Sequence, residues 1–506
     1  MSFAGNLAKI LLSPRKKKFD RVHYKHPEAS QYAQLKTLLH SGARTLYGRR
    51  YRFDKIRDYG DFAGKVPLTE YKDLKPYILQ MMNGRRDVLW PGRIRWFAKS
   101  SGTASARSKF IPVSDEILRY AHYRGGKDML MTYLENVPDS RITEGKALKL
   151  GGTVAYDPVK NIYVGDLSGI MIKRLPFWAR RQSVPDENIS LIPDWEEKLE
   201  RIIRAAHRYD VRSLIGIPSW FQNLLIGMLH RHPGKTVKDI WPGLEVFFHG
   251  GVHFDPYRAY FEKVLGPDMR YMEIYNASEG FFGMQDRTDD SSLLLMLDYH
   301  TFYEFIPLSD FKGTDSDRVI PLEDVRPGVN YALVISNASG LWRYVIGDTI
   351  RFTSVRPYKF VITGRTRHFI NLTGEEVIVD NAEKAVKTAA AKTGATVKNY
   401  TAGPEFMHEN GRARHEWIVE FDRPPADIRL FAEELDKSLR QLNSDYDSKR
   451  IKNIALDFPS VHVAPAGLFD RWLKKHHKLG GQHKVPRLSQ NRKILDELRE
   501  MMKEDQ

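Results

Sequence analysis

The chain has 506 residues, of which 42% are hydrophobic and 11% aromatic, so it can bury the cores of two or three domains. It contains no cysteine, which excludes disulfides and thiolate metal sites and favours the cytoplasm. Lysine and arginine outnumber aspartate and glutamate by 79 to 63, and this formal charge of +16 favours anionic partners. Because no long apolar run, secretory signal or nucleic-acid module is recognisable, we expect neither integral membrane association nor nucleic-acid binding.

The first predicted elements along the chain indicate a structural scaffold. In EASQYAQLKTLLHSGART, apolar residues recur at helical spacing and predict a helix. The cluster RKKKF, from Arg15 to Phe19, is interpreted as an exposed basic arm, with contact to an anionic membrane as the alternative. From Ile94 the sequence predicts a strand, IRWFA, then a polar loop, an extended segment, KFIPV, and a helix with Ser114 as its N-cap.

The polar loop lies in FAKSSGTASARSKFIPVS, from Phe97 to Ser114. It crowds hydroxyl side chains, a glycine and three cations between two apolar runs. Hydroxyls, backbone N–H groups and a lysine at the end of a strand suit a triphosphate, whose charge is best met by several oriented donors. A solvated serine- and threonine-rich turn is the alternative.

Between residues 194 and 275, helices alternate with the apolar strands VRSLIGI, LEVFFHG and RYMEIY. Such alternation predicts a parallel sheet, and the nearly continuous apolar strands predict helices on both of its faces. Ligands bind beyond the carboxyl ends of the strands in sheets of this kind. We therefore expect the loops in FFHGGVHFDPY and IYNASEGFFG to face the same crevice.

Three side chains near these strand ends are candidates for nucleotide contacts. Glu279 is a carboxylate that suits a magnesium ion bridging phosphates. The alternative is a glutamate that caps a helix or forms a salt bridge within the fold. Tyr275 either stacks on a base or belongs to the core. The segment NYALVISNASGLWRYVIGDTIRF predicts a hairpin with NASG as its turn. Asp348, near the end of this segment, has acceptors for two ribose hydroxyls; the alternative is that it only forms a Gly-Asp turn.

A compositional change after FVITGRTRHF indicates a domain boundary near Gly364-Arg365. The next segment, GEEVIVDNAEKAVKTAAAKTG, predicts a helix rich in alanine and lysine, and short strands and helices follow it. The sequence therefore predicts a large domain at residues 1–365 and a smaller α+β domain at residues 366–506.

Four segments, SSGTASARSKFIP, YNASEGFFG, GLWRYVIGD and HKVPR, occur in this order between residues 100 and 487. Together they resemble the adenylate-forming superfamily of acyl-CoA synthetases, adenylation domains and luciferases, and most closely its acyl-acid amido synthetase branch, the auxin-responsive promoter family. The resemblance implies an α/β fold: a large N-terminal domain with a mostly parallel sheet and flanking helices, and a small mobile α+β C-terminal domain that closes over the active site.

The resemblance also assigns roles to individual residues. Lys109 would steer the triphosphate, Glu279 would hold magnesium, and Lys484 would come from the small domain to the reaction centre. The nucleotide-binding residues would be Ser100, Ser101, Gly102, Thr103, Gly250, Gly251, Val252, Tyr275, Ser278, Asp348 and Arg365. The chain departs from the family in carrying ASA where relatives have a glycine and Ser108 where many have proline, and in lacking the wider superfamily's glycine-rich lysine loop near the C-terminus.

The activity implied is that of an ATP- and Mg²⁺-dependent ligase. It would adenylate a small carboxylic acid and pass the acyl group to the amine of an amino acid, releasing AMP and pyrophosphate. One alternative is thioester formation with coenzyme A after the same adenylation, and another is a non-enzymatic basic protein that binds nucleic acid or an anionic membrane. Trp220 and Phe221 either line the acyl pocket or belong to the core. The sequence indicates no particular oligomeric state.

Overall fold

The computed structural model describes residues 3–100, 109–251, 254–366, 369–370, 377–405, 414–443, 446–447, 450, 456–476, 484–489 and 492–504. The α-helices are α1 Phe3–Asp20, α2 Pro27–Gly42, α3 Leu46–Arg50, α4 Tyr59–Lys65, α5 Tyr71–Met82, α6 Asp115–Ile117, α7 Tyr123–Asn136, α8 Leu167–Lys173, α9 Phe177–Arg181, α10 Glu187–Ser190, α11 Trp195–Ala205, α12 Pro218–Arg231, α13 Val237–Ile240, α14 Asp255–Leu265, α15 Val379–Thr393, α16 Ile428–Leu442, α17 Leu468–Lys475 and α18 Lys493–Glu504. Single π-helical turns at Arg21–Lys25 and Leu118–His122 extend α1 and precede α7.

The strands are β1 Trp96–Ser100, β2 Lys109–Val113, β3 Lys146–Lys149, β4 Val154–Asp157, β5 Ile162–Gly165, β6 Ser183–Val184, β7 Val211–Gly216, β8 Val246–Gly250, β9 Arg270–Ala277, β10 Gly280–Gln285, β11 Leu293–Leu295, β12 Thr301–Pro307, β13 Asn330–Asn337, β14 Tyr344–Val355, β15 Tyr358–Arg365, β16 Phe369–Ile370, β17 Val377–Ile378, β18 Thr396–Glu405, β19 Arg414–Arg423 and β20 Ser460–Ala464. The chain divides into two compact units. The first unit comprises Met1–Ile346 and Arg351–Val361, and the second comprises Gly347–Ile350 and Ile362–Gln506.

The largest sheet has the strand order β12-β13-β14-β15-β11-β10-β9-β8-β7-β3-β6. Strands β6, β3, β7, β8 and β9 run parallel to one another. The pairs β9 with β10, β10 with β11, β11 with β15 and β12 with β13 are antiparallel. The parallel arrangement predicted for residues 194–275 is thus confirmed, and it forms one side of the sheet, while hairpin connections make the other side antiparallel.

Helix α12 shows why this part of the chain folds against the sheet. It begins with Pro218 at a position where proline suits a helix start, and Phe221, Leu224, Leu225 and Met228 recur at helical spacing. All four of these apolar side chains are fully buried, and each contributes about 1.5–3 kcal/mol through its removal from water. Phe221 therefore belongs to the core, as does its buried neighbour Trp220.

The N-terminal basic cluster is anchored in the first unit, which corrects its interpretation as an exposed arm. Phe19 is buried, and Arg15 donates hydrogen bonds to the buried carboxylates of Asp128 and Asp298 at 2.5–3.0 Å. The Lys18 amine lies 3.5 Å from a carboxylate oxygen of Asp298. The cations here compensate acids from distant parts of the chain, a relation that charge counting along the sequence does not reveal.

Arg343 also pairs inside the first unit. Its backbone is left-handed, with φ of 44°, and its guanidinium donates to both carboxylate oxygens of Glu304 at 2.8–3.1 Å. It also donates to the carbonyls of Ala63 and Val66, at 2.8 and 2.7 Å. These hydrogen bonds satisfy the buried ion pair and tie the end of α4 to the segment that leads into β14.

The second unit has the predicted α+β character. Strands β18, β19 and β20 form one sheet; α16 buries Phe431, Leu435 and Leu439 in the same core as Trp417 of that sheet, and α15 contributes Ala385 and Val386. Helix α15 ends at Gly394, whose φ of 66° is the left-handed conformation that favours glycine at a helix end. Over the described parts of both units, no helix has the length and apolar character needed to cross a membrane.

Candidate active site

The strands on either side of the serine-rich loop form an antiparallel pair in which Ser100 lies opposite Lys109. The Nζ of Lys109 lies 5.9 Å from the ring centre of Tyr71, and the hydroxyl of Tyr71 accepts a hydrogen bond from the backbone N–H of Phe110 at 2.9 Å. The predicted phosphate-loop residues Ser101, Gly102 and Thr103 lie outside the described residues. The structure therefore gives the two ends of the loop, with a lysine at the second.

The carboxyl ends of β3, β7, β8 and β9 meet at one edge of the large sheet, because these strands are parallel. Gly250 ends β8, and a side chain at this position would meet the carbonyl oxygen of Ile274 at 2.2 Å. Gly251 follows with φ of 76°. Both glycines thus permit close strand pairing and a sharp exit from the sheet, and they leave backbone groups at the ligand-binding edge. Val252 lies outside the described residues.

Ser278 and Glu279 form the two-residue connection between β9 and β10 at the same edge. Glu279 is 7% exposed, and its carbonyl accepts a hydrogen bond of 2.6 Å from Nδ2 of Asn337. Tyr275, also buried, packs edge-on against Phe282 and Phe360 at centroid distances of 5.0 and 6.2 Å. The tyrosine therefore has core contacts, and its stacking on adenine stays a prediction.

Within the second unit, Asp348 and Arg365 form an ion pair. Nε of Arg365 donates to Oδ1 of Asp348 at 2.6 Å, and the carboxylate is largely buried while the guanidinium is half-exposed. Their strands are held together by the backbone N–H of Thr366, which donates to the carbonyl of Gly347 at 2.8 Å, and Gly347 has φ of 94°. The left-handed glycine turns the chain just before the carboxylate, and the guanidinium orients it.

Lys484 belongs to the same group of charges. The segment that follows it is bonded along β18: Ala402 donates to the carbonyl of Arg487 at 2.9 Å, and Ser489 donates to the carbonyl of Ala402 at 2.9 Å. Although solvent reaches the Lys484 side chain, desolvation by the surrounding chain and the charges of Arg487 and Arg365 lower its pKa to about 7, and Asp348 opposes this. Asp348, Arg365 and Lys484 therefore form one positively charged cluster.

Two further lysines lie near the carboxyl edge of the sheet, and neither was identified from the sequence as a candidate site residue. Lys149 is the last residue of β3, and burial lowers its pKa to about 8. Lys198 is almost fully buried and donates from Nζ to the carbonyl of Gly151 at 2.9 Å, and burial lowers its pKa to about 8 while Asp166 opposes the shift. Recognising Lys149 would have required predicting that KALK is a fourth parallel strand.

The donor set is compatible with a magnesium ion that is held mainly by phosphates. Over the described residues, no three side chains of histidine, cysteine, aspartate or glutamate cluster into a site that would hold a metal by itself. Magnesium typically takes one or two carboxylates, keeps several waters and shares phosphate oxygens. The buried carboxylate of Glu279 fits that pattern.

Comparison with known proteins gives the family of the chain. The GH3 family N-terminal domain matches residues 15–269, which is half of the chain. The GH3 family central domain matches residues 294–365, and the GH3 family C-terminal domain matches residues 380–493. Two curated relatives from Arabidopsis thaliana cover nearly all of the chain: an indole-3-acetic acid-amido synthetase, 23% identical over 95% of this chain and 92% of its own length, and a 4-substituted benzoates-glutamate ligase, 22% identical over 92% and 93%.

Solved structures agree on the fold. An acyl acid amido synthetase in complex with 2,4-DB has a TM-score of 0.79 with 19% identity, covering 99% of this chain and 97% of its own. A 2-hydroxyisobutyryl-CoA ligase in complex with 2-HIB-AMP has a TM-score of 0.61 with 12% identity, covering 96% and 94%. The resemblance and the α/β fold inferred from the sequence are confirmed. The chain belongs to the GH3 family and has the fold of adenylate-forming enzymes.

Proposed function

We propose that this protein is an ATP- and Mg²⁺-dependent ligase of the cytoplasm. It adenylates a small carboxylic acid and transfers the acyl group to the amine of an amino acid, releasing AMP and pyrophosphate. The observation that carries the proposal is the succession of three GH3 domain matches between residues 15 and 493, in a family whose curated relatives are named amido synthetases and ligases.

The first step requires two anions to approach each other. A carboxylate oxygen of the acid attacks the α-phosphorus of ATP, a bond from oxygen to that phosphorus forms, and the bond to the bridging oxygen breaks as pyrophosphate leaves. A magnesium ion, when bound, withdraws charge from the phosphates and neutralises the leaving group. Positioned cations and oriented N–H groups then supply most of the remaining catalysis.

The first unit would contribute the groups at the carboxyl edge of the sheet. The carboxylate of Glu279 would hold magnesium, Ser278 would reach the α-phosphate, and the backbone at Gly250 and Gly251 would lie along the adenine. Lys109, at the end of the serine-rich loop, would steer the triphosphate together with the hydroxyls of that loop. The burial of Glu279 supports its role, because a carboxylate in a poorly hydrated position binds a cation more strongly than one in water.

The second unit would contribute the ribose and reaction-centre contacts. Asp348 would accept hydrogen bonds from the two ribose hydroxyls, held in orientation by Arg365. Lys484, whose pKa is lowered to about 7, would become fully charged when a polyphosphate approaches and would then stabilise the charge that develops during the attack. As part of the proposal we retain the division into a domain of residues 1–365, which includes Asp348 and Arg365, and a smaller domain of residues 366–506, which carries Lys484 and closes for adenylation.

The second step completes the amide. The nitrogen of the amino acid attacks the carbonyl carbon of the acyl adenylate, the bond to the phosphate oxygen breaks, AMP leaves, and the nitrogen loses a proton to solvent. The net positive charge near Arg365, Lys484 and Arg487 suits both the departing AMP and the carboxylate of the acceptor.

The experiment that tests the proposal is a screen of small carboxylic acids for ATP-dependent pyrophosphate release. Each active acid is then incubated with amino acids or with coenzyme A, and the mass of the product is determined. We expect acid-dependent pyrophosphate release and an amide product. A thioester product would instead identify an acyl-CoA synthetase, and absence of pyrophosphate release with every acid would favour a non-enzymatic basic protein.

A further inference from the structure

The turn that follows β13 connects the two strands of a hairpin, as the sequence predicts, and it also forms hydrogen bonds with residues outside that hairpin. We name residues Asn337, Ala338, Ser339 and Gly340 the NASG turn. The turn is buried, and its Gly340 has φ of 85° at a point where a side chain would meet Leu89 at 2.5 Å. The tight packing fixes the turn in one conformation, and its polar groups make contacts outside their own hairpin.

Asn337 bonds to the connection that carries Glu279. Its side chain is fully buried, and Nδ2 donates to the carbonyl of Glu279 at 2.6 Å. Its Oδ1 accepts from the backbone N–H groups of Ser339 and Leu341, at 2.9 and 3.3 Å. Exchanging the amide oxygen and nitrogen would turn all three contacts into like-with-like contacts, so the hydrogen bonds determine the orientation of the amide.

The same turn holds the residue that follows β2. The backbone N–H of Ser114 donates to Oγ of Ser339 at 3.1 Å, and Oγ of Ser114 donates to the carbonyl of Ala338 at 2.6 Å. Ser114 also caps α6 by accepting from the N–H of Ile117 at 3.0 Å. The NASG turn thus connects two regions assigned to the nucleotide: the strand that begins at Lys109 and the connection that ends at Glu279.

A carboxylate that binds a metal needs its backbone fixed, because ligand distances must hold to a fraction of an ångström. Ser278 and Glu279 lie in a connection of only two residues, and the carbonyl of Glu279 is followed directly by β10. The hydrogen bond from Asn337 fixes the peptide group between Glu279 and Gly280, and with it the direction in which the Glu279 side chain leaves the backbone.

We propose that Asn337 is a positioning residue for Glu279, and that its side-chain amide holds the carboxylate in the geometry that binds magnesium with ATP. This inference rests on the proposed function and deepens it. It names a residue that contacts neither nucleotide nor metal and acts through the backbone of the residue that does.

The test compares Asn337→Leu with a matched control. Leucine has nearly the shape of asparagine and removes all three hydrogen bonds. Gln31→Met is the control, because Gln31 is another buried amide with three hydrogen bonds: it donates to the carbonyls of Leu297 and Thr301 at 3.0 and 3.1 Å and accepts from the N–H of Tyr303 at 2.9 Å. Both variants therefore lose similar stability, and only the first touches Glu279.

The readout is the dissociation constant of ATP, measured by calorimetry with and without Mg²⁺. In the wild type and in Gln31→Met we expect Mg²⁺ to strengthen ATP binding by the same factor. In Asn337→Leu we expect this Mg²⁺-dependent factor to fall roughly 10- to 100-fold, the usual loss when a residue that orients a metal ligand is removed. Affinity for ATP without Mg²⁺ should stay within about twofold of the wild type, since the lost interaction acts on the metal ligand.

Equal Mg²⁺ enhancement in Asn337→Leu and Gln31→Met would overturn the inference, and so would an equal loss of ATP affinity with and without Mg²⁺. If Asn337→Leu does not fold, Asn337→Ser takes its place, with Gln31→Ser as its control, because serine keeps a hydroxyl acceptor for the N–H of Ser339, is too short to reach the carbonyl of Glu279 and adds no buried charge. The screen of the wild type for pyrophosphate release tests the proposed function separately. If the wild type releases pyrophosphate but Mg²⁺ strengthens ATP binding equally in the wild type and in the Asn337 variant, only the positioning role is refuted.

Discussion

Removing the guanidinium of Arg15 should strongly destabilise the first unit. Arg15→Met leaves the carboxylates of Asp128 and Asp298 without their main partner, and their side chains are 0% and 3% exposed. Asp128 keeps a hydrogen bond from the hydroxyl of Tyr299 at 2.8 Å, and Asp298 keeps Arg124 and Lys18, each at 3.5 Å. These remaining contacts compensate only part of the loss, because none of them supplies a close bidentate cation.

The size of the effect follows from burial. Breaking a buried ion pair by removing one partner costs about 3–5 kcal/mol, and we expect Arg15→Met to lower the free energy of unfolding by that amount. The pKa of Asp298 points the same way: burial raises it, but the hydrogen bond and charge of Arg15, with smaller contributions from His23 and Arg124, outweigh burial and lower it to about 2. That depression from the ordinary value corresponds to about 2 kcal/mol for this one carboxylate.

The same carboxylate predicts a pH dependence. Because its pKa is lower in the folded state, its stabilising contribution is fully present above about pH 4, the pKa in unfolded chains, and is lost as pH falls towards 2. In Arg15→Met the Asp298 carboxylate loses its main cation, and its pKa rises. Acid unfolding of the variant should therefore begin at a higher pH than in the wild type.

The assay is urea unfolding at pH 7 followed by fluorescence, with Lys17→Met as control, since Lys17 is exposed on the same helix. A variant that combines Arg15→Met with Asp128→Asn and Asp298→Asn should recover most of the stability, because no buried charge is then left unpaired. If Arg15→Met stays within about 1 kcal/mol of Lys17→Met, a value typical of exposed ion pairs, the helix is not anchored by this guanidinium and the reasoning is wrong.

Three further predictions concern the proposed reaction, and each is measured by acid-dependent pyrophosphate exchange into ATP in a protein whose circular dichroism is unchanged. Glu279→Ala should slow exchange roughly 100-fold or more, because charge on the phosphates is no longer neutralised; near-normal exchange would end its assignment to the metal. Asp348→Ala should raise the KM for ATP roughly tenfold or more through the loss of charged hydrogen bonds, and an unchanged KM would exclude the ribose contact. Lys484→Ala should slow adenylation roughly 100-fold with intact ATP binding, so loss of binding would indicate a structural role. Since the pKa of Lys484 is about 7 without ATP, its charge in the free enzyme is lost as pH rises through that value, and the wild-type kcat/KM for ATP should fall there while the variant's should not.

The parallel part of the sheet was predictable because its signal is local. Strands β7, β8 and β9 are apolar runs of five to eight residues separated by amphipathic helices, and each is bounded by glycine, proline or charged residues. The carboxyl-edge position of Gly250 and Glu279 then follows from the topology alone. The four family segments identified the class of protein, because their order constrains more than any one of them does.

The polar contacts were not predictable, because their partners are remote in sequence. Arg15 meets Asp128 and Asp298, which lie 113 and 283 positions away, so a run of cations at 15–18 resembles a solvated arm until the fold is known. The bond from Asn337 to Glu279 joins two turns that are 58 positions apart. Such pairs depend on how elements pack, and no periodicity in one sequence encodes them.

The glycine at the end of β8 has a consequence for reading alignments of this family. Any side chain at Gly250 would press into a carbonyl of the adjacent strand, at 2.2 Å from the oxygen of Ile274. Invariance at this column would therefore be enforced by backbone crowding even in a homologue that had lost its catalytic activity. Retention of glycine at this position therefore says nothing about nucleotide use, whereas replacement of Glu279 would, under the proposed function, remove the metal ligand.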